Sequence, residues 1–520
     1  MAEILGSLPP SIDQSARVPG DELVEVLASL SLAADSANGV PEETSLRTCL
    51  VAHHIAAALG LSPEVRGATW FAALLRFLGC TAFAHEEYVA FGNDDVSVRS
   101  RFSGIDYERV RDVLPAAWNA LGEGNFRAAR MGRMLVSAGR THQALATSAC
   151  AVGERLAHRL KLPEESRLAL AQLHERWDGR GAPQGLRETE LAEATRILHA
   201  ACVIEATHRM QGADAALEEV FRRRRGHLDP DVVAAAEKAW SSIAVALGQA
   251  SVWDLALGCR PADTPAPSLA AVCEVFADFV DLKLPHALGH GRRVSSLASG
   301  AAKVLGLGED VVSRLAIAGL VHNLGHVGIG NHVWESRVPW TSAQRQLVER
   351  HPQHGAQALG RAQLFADVRP LVALHHERCD GSGYPNGLTL RALPVEVRVL
   401  AAADVAVALS QRRPHRGGLG ESKVAEVLEA EALAGRLDGR AVAAVLEAAG
   451  LAARGLPELL SAREAQVLEL LTLGESNKAI AQALGISAKT VQHHVHSVYQ
   501  KAGVSSRAAA ALWAVERGYF

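Results

Sequence analysis

The sequence predicts an all-α protein, and three features of its 520 residues support this class. Alanine and leucine dominate, aromatic residues make up only 5%, and alternating runs rich in valine and isoleucine are scarce. Alanine and straight-chain residues favour helices, whereas alternating β-branched residues favour strands. Because a chain of this length exceeds what one hydrophobic core supports, we expect roughly two to four domains.

The composition also excludes several classes of protein. The net charge is −4, so any nucleic-acid site must be local. The first twenty residues lack the basic and apolar regions of a signal peptide, and no apolar run is long enough to span a membrane. The seven cysteines are scattered without a CxxC pair, which is typical of free thiols in a reducing compartment. We therefore expect a cytoplasmic protein without a membrane partner.

Two breaks divide the chain. The segment "GCRPADTPAPS" contains three prolines, which a helix does not tolerate, and "AARGLPEL" precedes a compact C-terminal unit. Between the breaks, apolar residues recur at helical spacing. The predicted organisation is a flexible N-terminus (1–20), a first helical domain (21–257), a linker (258–268), a second helical domain (269–451), a linker (452–458) and a C-terminal domain (459–520).

The two central domains are related by an internal repeat. "LHERWDGRGAPQGL" (173–186) matches "HHERCDGSGYPNGL" (375–388), which indicates one domain type present twice. We call 21–257 the first copy and 269–451 the second copy. The first copy has Arg76, Phe77 and Cys202 where the second has His322, Asn323 and Asp404, whereas His174 remains opposite His376. We therefore expect the first copy to have a structural role.

The C-terminal domain carries the pattern of a helix-turn-helix. Ser461 and Glu464 form a capping box that begins a helix, and Gly485 provides a tight turn before a third helix capped by Ser487. Val491, Val495 and Val498 lie on one face of that third helix, and the opposite face is polar. A fourth, alanine-rich helix follows.

This domain resembles the DNA-binding domain of LuxR/FixJ-type regulators, through "SNKAIAQALGIS", "KTVQHHV" and "KAGVSSRAAA". The resemblance implies that the third helix enters the major groove of double-stranded DNA and that the fourth forms a homodimer. Lysines would then contact phosphates, and Gln492 and His493 would face base edges. The predicted DNA-binding residues are Lys478, Lys489, Thr490, Gln492, His493, Ser497 and Lys501.

The second copy collects candidate ligands in five separate segments, four with histidines and one with an aspartate. His286 and His290 are spaced i, i+4, as are His322 and His326, and residues at this spacing share one face of a helix. Further segments contribute "RHPQH" (350–354), His375 with His376, and Asp404. Histidines that converge in this way are typical metal ligands.

These segments resemble the HD-GYP domain, a helical phosphodiesterase family that hydrolyses cyclic di-GMP, over roughly residues 270–450. The GYP motif is complete at Gly383, Tyr384 and Pro385. The resemblance implies metal ligands at His290, His322, His351, His375, His376 and Asp404, and a fold of tandem HD-type helical domains, the first degenerate, followed by a four-helix LuxR-type domain.

The HD half of the motif departs from the family. Asn323 replaces the aspartate that would bridge two metal ions, His326 replaces a basic residue, and His286 replaces an acid. An amide bridges two dications poorly, so we expect one Zn²⁺, Fe²⁺ or Mn²⁺ per chain rather than two. His286, Asn323, His326 and the GYP residues become candidate contacts for a cyclic dinucleotide or another small ligand.

Two functions from different classes follow from the sequence. The first is a transcriptional regulator whose HD-GYP-like domain is a metal-containing or ligand-sensing module without efficient hydrolysis. The second is an active metal-dependent cyclic di-GMP phosphodiesterase with an attached DNA-binding domain. Asn323 favours the regulator, because hydrolysis by a two-metal site requires a shared anionic ligand.

Overall fold

A computed structural model describes residues 18–107, 109–121, 127–262, 265, 267–450 and 460–516. Most of the N-terminus predicted to be flexible (1–20) and the whole predicted linker 452–458 lie outside the described residues, as do positions 263, 264 and 266 of the linker 258–268. The described chain is helical, and its β-type pairings are isolated bridges. The all-α prediction is therefore confirmed. No helix within these ranges is long and apolar enough to cross a membrane.

The chain divides into two compact units, and the boundary lies between Pro267 and Ser268, inside the proline-rich segment. The first unit buries a core around Trp70 and Phe71, and the indole Nε1–H of Trp70 donates to the carbonyl oxygen of Ala256 at 3.1 Å. Its helices are α1 (Gly20–Ala37), α2 (Thr44–Ala58), α3 (Pro63–Leu74), α4 (Ala84–Phe91), α5 (Asp95–Phe102), α6 (Val110–Ala120), α7 (Arg127–Arg159), α8 (Glu164–Ala171), α9 (Glu193–Gln211), α10 (Ala213–Arg222), α11 (Pro230–Lys238), α12 (Trp240–Leu247) and α13 (Trp253–Gly258).

The second unit begins with the second copy of the repeat. Phe276 and Phe365 pack edge to face in its core, with ring centroids 5.8 Å apart. Its helices are α14 (Leu269–Asp281), α15 (His290–Val304), α16 (Glu309–Val321), α17 (Asn331–Trp334), α18 (Ser342–Glu349), α19 (His351–Ala358), α20 (Arg369–Leu374), α21 (Val395–Ser410), α22 (Glu421–Leu433) and α23 (Gly439–Ala449). Helices α14, α15, α16, α21 and α23 pack around one another and position the histidine-rich segments.

The repeat seen in the sequence corresponds to one loop built twice. In the second copy, the buried carboxylate of Glu377 accepts the backbone N–H groups of Asn386 at 2.7 Å and Leu388 at 2.9 Å. In the first copy, Glu175 does the same for two backbone N–H groups at 2.7 and 3.1 Å. A Cβ atom at Gly383 would lie 2.3 Å from the backbone nitrogen of Arg378, so the first residue of the GYP motif must be glycine.

The C-terminal domain adopts the predicted four-helix arrangement: α24 (Ala462–Thr472), α25 (Asn477–Leu484), α26 (Ala488–Ala502) and α27 (Arg507–Glu516). The capping box at Ser461 is present, and Ser476 and Ser487 cap α25 and α26 through their hydroxyl groups. Gly485 has φ +63° in the turn between them, a conformation that favours glycine. Trp513 of α27 is 3% exposed and belongs to the core of its own domain.

The prediction that the two histidines of each i, i+4 pair lie on one α-helix was wrong. Helix α15 begins at His290, and His286 lies in a separate 3-10 turn before it. Helix α16 ends at Val321, so His322 and His326 are not on one α-helix. The chain leaves the helix where it must pass close to α19: a Cβ at Gly325 would lie 2.0 Å from the carbonyl oxygen of His351.

Candidate metal centre and DNA-binding surface

The six predicted metal ligands form two groups of three. The His trio consists of His351, His375 and His376, and the His-Asp trio consists of His290, His322 and Asp404. Within each trio, one potential ligand atom from every residue lies within 4.8 Å of the others. The trios adjoin each other, since the rings of His322 and His375 are 5.0 Å apart. The six residues come from five separate segments, each within a helix or at the end of one, and they converge on one site.

Three of these histidines have one ring nitrogen fixed by the backbone. The Nδ1 atom of His322 lies 2.9 Å from the carbonyl oxygen of Gly319, and those of His351 and His375 lie 2.6 and 2.7 Å from carbonyl oxygens three residues earlier in the chain. A carbonyl oxygen only accepts, so each Nδ1 must carry the hydrogen. Each Nε2 is then left with a lone pair, which is the form of histidine that binds a metal.

The free nitrogens face one another. The Nε2 atoms of His351 and His375 are 3.4 Å apart, and neither carries a hydrogen if both Nδ1 atoms donate to the backbone. The Nε2 atom of His322 is buried and has no hydrogen-bond partner among the described residues. Buried lone pairs without a donor are unfavourable, and a divalent cation satisfies them. The residues present therefore fit a divalent metal ion.

Asp404 is the acidic ligand of the pocket. Its Oδ1 lies 3.1 Å from Nε2 of His290 and 3.7 Å from Nε2 of His322. The other ring nitrogen of His290 is 2.7 Å from Oε1 of Gln411, an acceptor that orients the ring. Burial by itself would raise the pKa of Asp404, but its interactions with the nearby rings of His290 and His322 hold that pKa well below its usual value. The carboxylate is thus charged and available to a cation.

Burial keeps four of the candidate ligand histidines neutral. It lowers the pKa of His376 to about 4, and burial together with repulsion from the neighbouring imidazoles lowers the pKa values of His351 and His375 well below 6.5. The pKa of His290 is lowered by burial against the opposing effect of Asp404. A neutral imidazole does not have to lose a proton before it coordinates a metal, so the pocket is preorganised for metal binding.

The GYP loop lies beside the His trio. The Tyr384 ring stacks on His376 with centroids 4.8 Å apart and an interplanar angle of 29°. Burial raises the pKa of Tyr384, so its hydroxyl remains protonated. The loop therefore offers an aromatic face and a hydroxyl donor next to the candidate metal ligands, while Gly383 and Pro385 form its backbone.

The three residues that depart from the family motif occupy different places. His326 is close to the site, with its ring 4.3 Å from that of His351 and 4.2 Å from that of Trp334. Asn323 is half-buried directly after His322. His286 is half-buried in the 3-10 turn Pro285–Ala287, ahead of the helix that carries His290.

Three functional residues were missed from sequence. Gln411 orients His290, and Glu377 holds the GYP loop. Arg413 is close enough to Asp404 for their charges to interact. Glu377 could have been found, because its counterpart Glu175 is retained in the repeated segment. Gln411 and Arg413 lie in a loop that has no such counterpart, so only their folded positions reveal them.

The predicted DNA-binding residues lie mostly on the surface of the C-terminal domain. Lys489, Thr490, Gln492 and His493 are exposed on α26, and Lys478 is exposed on α25. The remaining two make intradomain contacts: Ser497 Oγ donates to one carboxylate oxygen of Glu464 at 2.7 Å, and Lys501 Nζ to the other at 2.7 Å. Lys501 is therefore partly neutralised, and Lys489 is the better candidate for a phosphate contact.

Fold and site together define a helical protein with a histidine-rich candidate metal site and a C-terminal helix-turn-helix. Residues 274–441 match the family model described as HD domain, and residues 458–514 match that of bacterial regulatory proteins of the luxR family. The chain therefore carries an HD domain followed by a LuxR-family helix-turn-helix domain.

Known proteins resemble different parts of the chain. The 3'3'-cGAMP-specific phosphodiesterase 3 of Vibrio cholerae is 25% identical over 437 residues, which cover 82% of this chain and 95% of that protein. A crystal structure of a cyclic GMP-AMP specific phosphodiesterase of V. cholerae superimposes with a TM-score of 0.56 at 23% identity, covering 86% of this chain and 100% of the other; this likeness shows a shared fold. The transcriptional regulatory protein DegU of Brevibacillus brevis is 43% identical over 61 residues, which are 12% of this chain and 26% of DegU.

Proposed function

We propose that this protein is a DNA-binding transcriptional regulator whose HD domain binds a divalent metal ion and a cyclic dinucleotide. The observation that carries the proposal is the buried Nε2 atom of His322, which has no hydrogen-bond partner among the described residues and lies 3.7 Å from the Asp404 carboxylate, in a chain that also exposes a polar recognition helix. Buried imidazole lone pairs are stabilised by a bound cation, and an exposed recognition helix is typical of a domain that binds DNA. The combination supports a sensor joined to its output domain.

The His-Asp trio is the proposed site of the first metal ion. It contains the only carboxylate of the two trios, and a dication is held more strongly where a negative charge faces it. Zn²⁺, Fe²⁺ and Mn²⁺ suit this donor set of imidazole and carboxylate. A bound ion would act as a Lewis acid toward a phosphoryl oxygen. We propose one ion per chain, because Asn323 supplies no charge to join a second ion to the first.

A cyclic dinucleotide is the proposed ligand because of what surrounds the metal ligands. Tyr384 presents an aromatic ring and a hydroxyl donor beside His376, and Arg413 brings a guanidinium near Asp404. Aromatic rings stack on nucleobases, and arginine pairs with phosphate. The similarity to a relative named as a 3'3'-cGAMP-specific phosphodiesterase supports the same class of ligand here.

Hydrolysis of that ligand is the second candidate function, and the completeness of the two trios favours it. Every predicted family ligand lies in one trio or the other. The reason for ranking it second is electrostatic: two dications side by side require a shared anionic oxygen, and the amide of Asn323 is neutral. On this proposal the wild type binds the dinucleotide and turns it over slowly or not at all.

The test uses the full-length protein. Metal content is measured by mass spectrometry after purification without added metal, and binding and hydrolysis of 3'3'-cGAMP and cyclic di-GMP are measured with Mn²⁺ and with Fe²⁺. We expect about one ion per chain, saturable binding of a dinucleotide, and shifted DNA binding when it is present. His322→Ala should lose the metal, whereas exposed His415→Ala is the matched control and should keep it.

Two outcomes would overturn parts of the proposal. Rapid hydrolysis by the wild type, abolished in His322→Ala, would make the protein a phosphodiesterase. A wild type that contains no metal and binds neither dinucleotide would remove the sensor function and leave only the DNA-binding domain supported.

A further inference from the structure

A second cavity lies in the first copy, far along the chain from the candidate metal centre. It has a volume of about 380 Å³ and is lined mainly by aliphatic and aromatic side chains. This volume falls within the range of about 300–1,000 Å³ that is typical of sites for small organic molecules. The metal-binding chemistry of the second copy does not involve these residues.

The cavity occupies the position that the metal centre has in the second copy. Three close contacts establish the correspondence. Asp35 accepts the backbone N–H of Ser45 as Asp281 accepts that of Gly291, which aligns the start of α2 with that of α15. A Cβ at Gly79 would lie 2.0 Å from the carbonyl oxygen of Ala149, as one at Gly325 would from that of His351. The loops held by Glu175 and Glu377 align the third region.

This alignment shows how the ligands were replaced. The counterparts of His290, His322, His351, His375, His376 and Asp404 are Thr44, Arg76, Ala149, Leu173, His174 and Cys202, and the last five line the cavity. Two imidazoles have become aliphatic side chains, so space that the histidine rings fill in the second copy is open and apolar here. Among the described residues the lining holds no cluster of three potential metal ligands, and it is mainly apolar, which favours an apolar occupant.

Arg76 gives the cavity a polar end. Its side chain is 7% exposed, it lies over the Phe77 ring at 4.1 Å, and its Nε has no hydrogen-bond partner among the described residues. One amino group donates to the Cys202 sulfur at 3.3 Å, and the other is 3.7 Å from Glu205, which Arg209 already binds at 3.0 Å. The shared carboxylate leaves positive charge at this end, and the guanidinium retains an unused donor.

His174, a second polar residue of the lining, is uncharged. Burial lowers the pKa of His174 to about 4, so the ring is neutral at physiological pH, and it contacts His142 edge to face at 6.3 Å. We propose that the cavity is a binding site for a small, largely apolar molecule whose single head group, a carboxylate or a carbonyl, accepts a hydrogen bond from Arg76. This site is independent of the function proposed for the second copy.

The test uses the full-length protein with 1-anilinonaphthalene-8-sulfonate as a fluorescent probe, which has an apolar body and one anionic group. Decanoate and methyl decanoate serve as competitors that distinguish a carboxylate from a carbonyl, and decylammonium presents the wrong charge to Arg76. We expect saturable binding of one probe per chain, displaced by decanoate or its ester and not by decylammonium.

Variants locate the site. Ala149→Phe fills the cavity and should weaken binding by about tenfold or more, whereas Ala144→Phe, an exposed position on the same helix, is the matched control and should not. Arg76→Gln should abolish the preference for decanoate over decylammonium. Hydrogen exchange of the wild type provides a measurement that needs no variant: decanoate should protect amides of α7 and α9.

Three results would overturn the proposal. These are a wild type without saturable probe binding, an Ala149→Phe variant that binds as the wild type does, and decanoate protection confined to helices outside the first unit. Displacement by decylammonium as effective as by decanoate would remove the assignment of the head group to Arg76.

Discussion

Asn323 is the residue on which the proposed lack of efficient hydrolysis depends. It follows His322 at the end of α16, where the HD-GYP resemblance implies an aspartate. The surrounding candidate ligands are five imidazoles and one carboxylate. On our proposal this single negative charge is too small to hold two dications side by side, so the chemistry of the site depends on the amide of Asn323.

Replacing Asn323 with Asp should restore the missing charge. We expect the metal content to rise from about one to two ions per chain, and hydrolysis of a cyclic dinucleotide to appear. Elemental analysis and a hydrolysis assay on the same sample measure both. Asn477→Asp, which adds the same charge at an exposed position of α25, should change neither. An Asn323→Asp protein with unchanged metal content would show that charge does not limit occupancy.

A second prediction concerns a buried histidine of the first copy. His199 is 3% exposed, its Nε2–H donates to the Leu173 carbonyl oxygen at 3.1 Å, and burial lowers its pKa to about 4. Between pH 6.5 and 4 the unfolded chain takes up a proton that the folded chain excludes, so stability falls as pH falls, by up to about 1.4 kcal/mol per pH unit.

Neighbouring groups titrate as well, so the measurement is a comparison of variants. Burial also lowers the pKa of His227, whose ring lies 5.3 Å away, while burial raises the pKa of Asp35 to about 7 and gives the opposite pH dependence. Calorimetry from pH 7 to 4.5 should show a smaller loss of stability for His199→Gln than for the wild type, because unfolding of the variant takes up one proton fewer. Exposed His158→Gln should leave the slope unchanged, and equal slopes for both variants would contradict the pKa shift.

The sequence predicted which residues of the candidate metal site lie together better than it predicted the helices that carry them. All six proposed ligands converge, because side-chain chemistry is readable from residue types. The helical spacing of His322 and His326 misled, since tertiary packing at Gly325 ends the helix. Gln411 could not be predicted from the sequence for a similar reason, because its contact with His290 joins positions more than a hundred residues apart.

At the level of elements, α26 is the segment whose role is easiest to test. Gln492 is exposed on it, and glutamine pairs in two places with adenine. We expect Gln492→Ala to cost about 1–3 kcal/mol at the operator and to relax the preference at one base pair. Lys489→Ala should weaken all sequences alike and reduce the salt slope by about one.

Binding assays over a range of salt concentrations, with DNA selected from a random pool, distinguish the two effects. Gln500→Ala serves as a matched control, because Gln500 is exposed in the last turn of the same helix. If Gln492→Ala and Gln500→Ala bind the selected DNA equally well, Gln492 does not read a base.

The helix-turn-helix was the element best predicted from sequence. Its caps at Ser461, Ser476 and Ser487 and its glycine turn are local features, and local features do not depend on distant packing. The role of α27 was harder to predict from the sequence. The resemblance implies that this helix forms a homodimer, whereas its Trp513 packs into its own domain and its Leu512 is 1% exposed.

For the whole molecule, the question is how a weakly charged domain holds DNA. From 459 to 520 there are six basic residues (Arg463, Lys478, Lys489, Lys501, Arg507, Arg517) against four acidic ones (Glu464, Glu469, Glu475, Glu516), and Lys501 is paired with Glu464. One copy should therefore bind poorly, and we propose that two copies bind together as a homodimer.

Operator DNA with two half-sites tests this on the full-length protein. Destroying one half-site, or moving it by half a helical turn, should reduce affinity by about a hundredfold, because the second contact loses its effective concentration. Moving it by a whole turn is the control and should cost far less. Equal affinity for duplexes with one and two half-sites would mean that a single chain suffices.

The loop held by Glu377, and by Glu175 in the first copy, affects how the GYP motif should be interpreted. Glu175 organises the same backbone as Glu377, although only one of six ligand positions survives around it and alanine stands where the tyrosine would be. The glycine and proline of such a loop thus build the same backbone whether or not the six candidate ligands surround it. A survey that counts phosphodiesterases by this loop alone would include copies with one of the six candidate ligands, and the histidines that precede the loop are what separates such copies from complete ones.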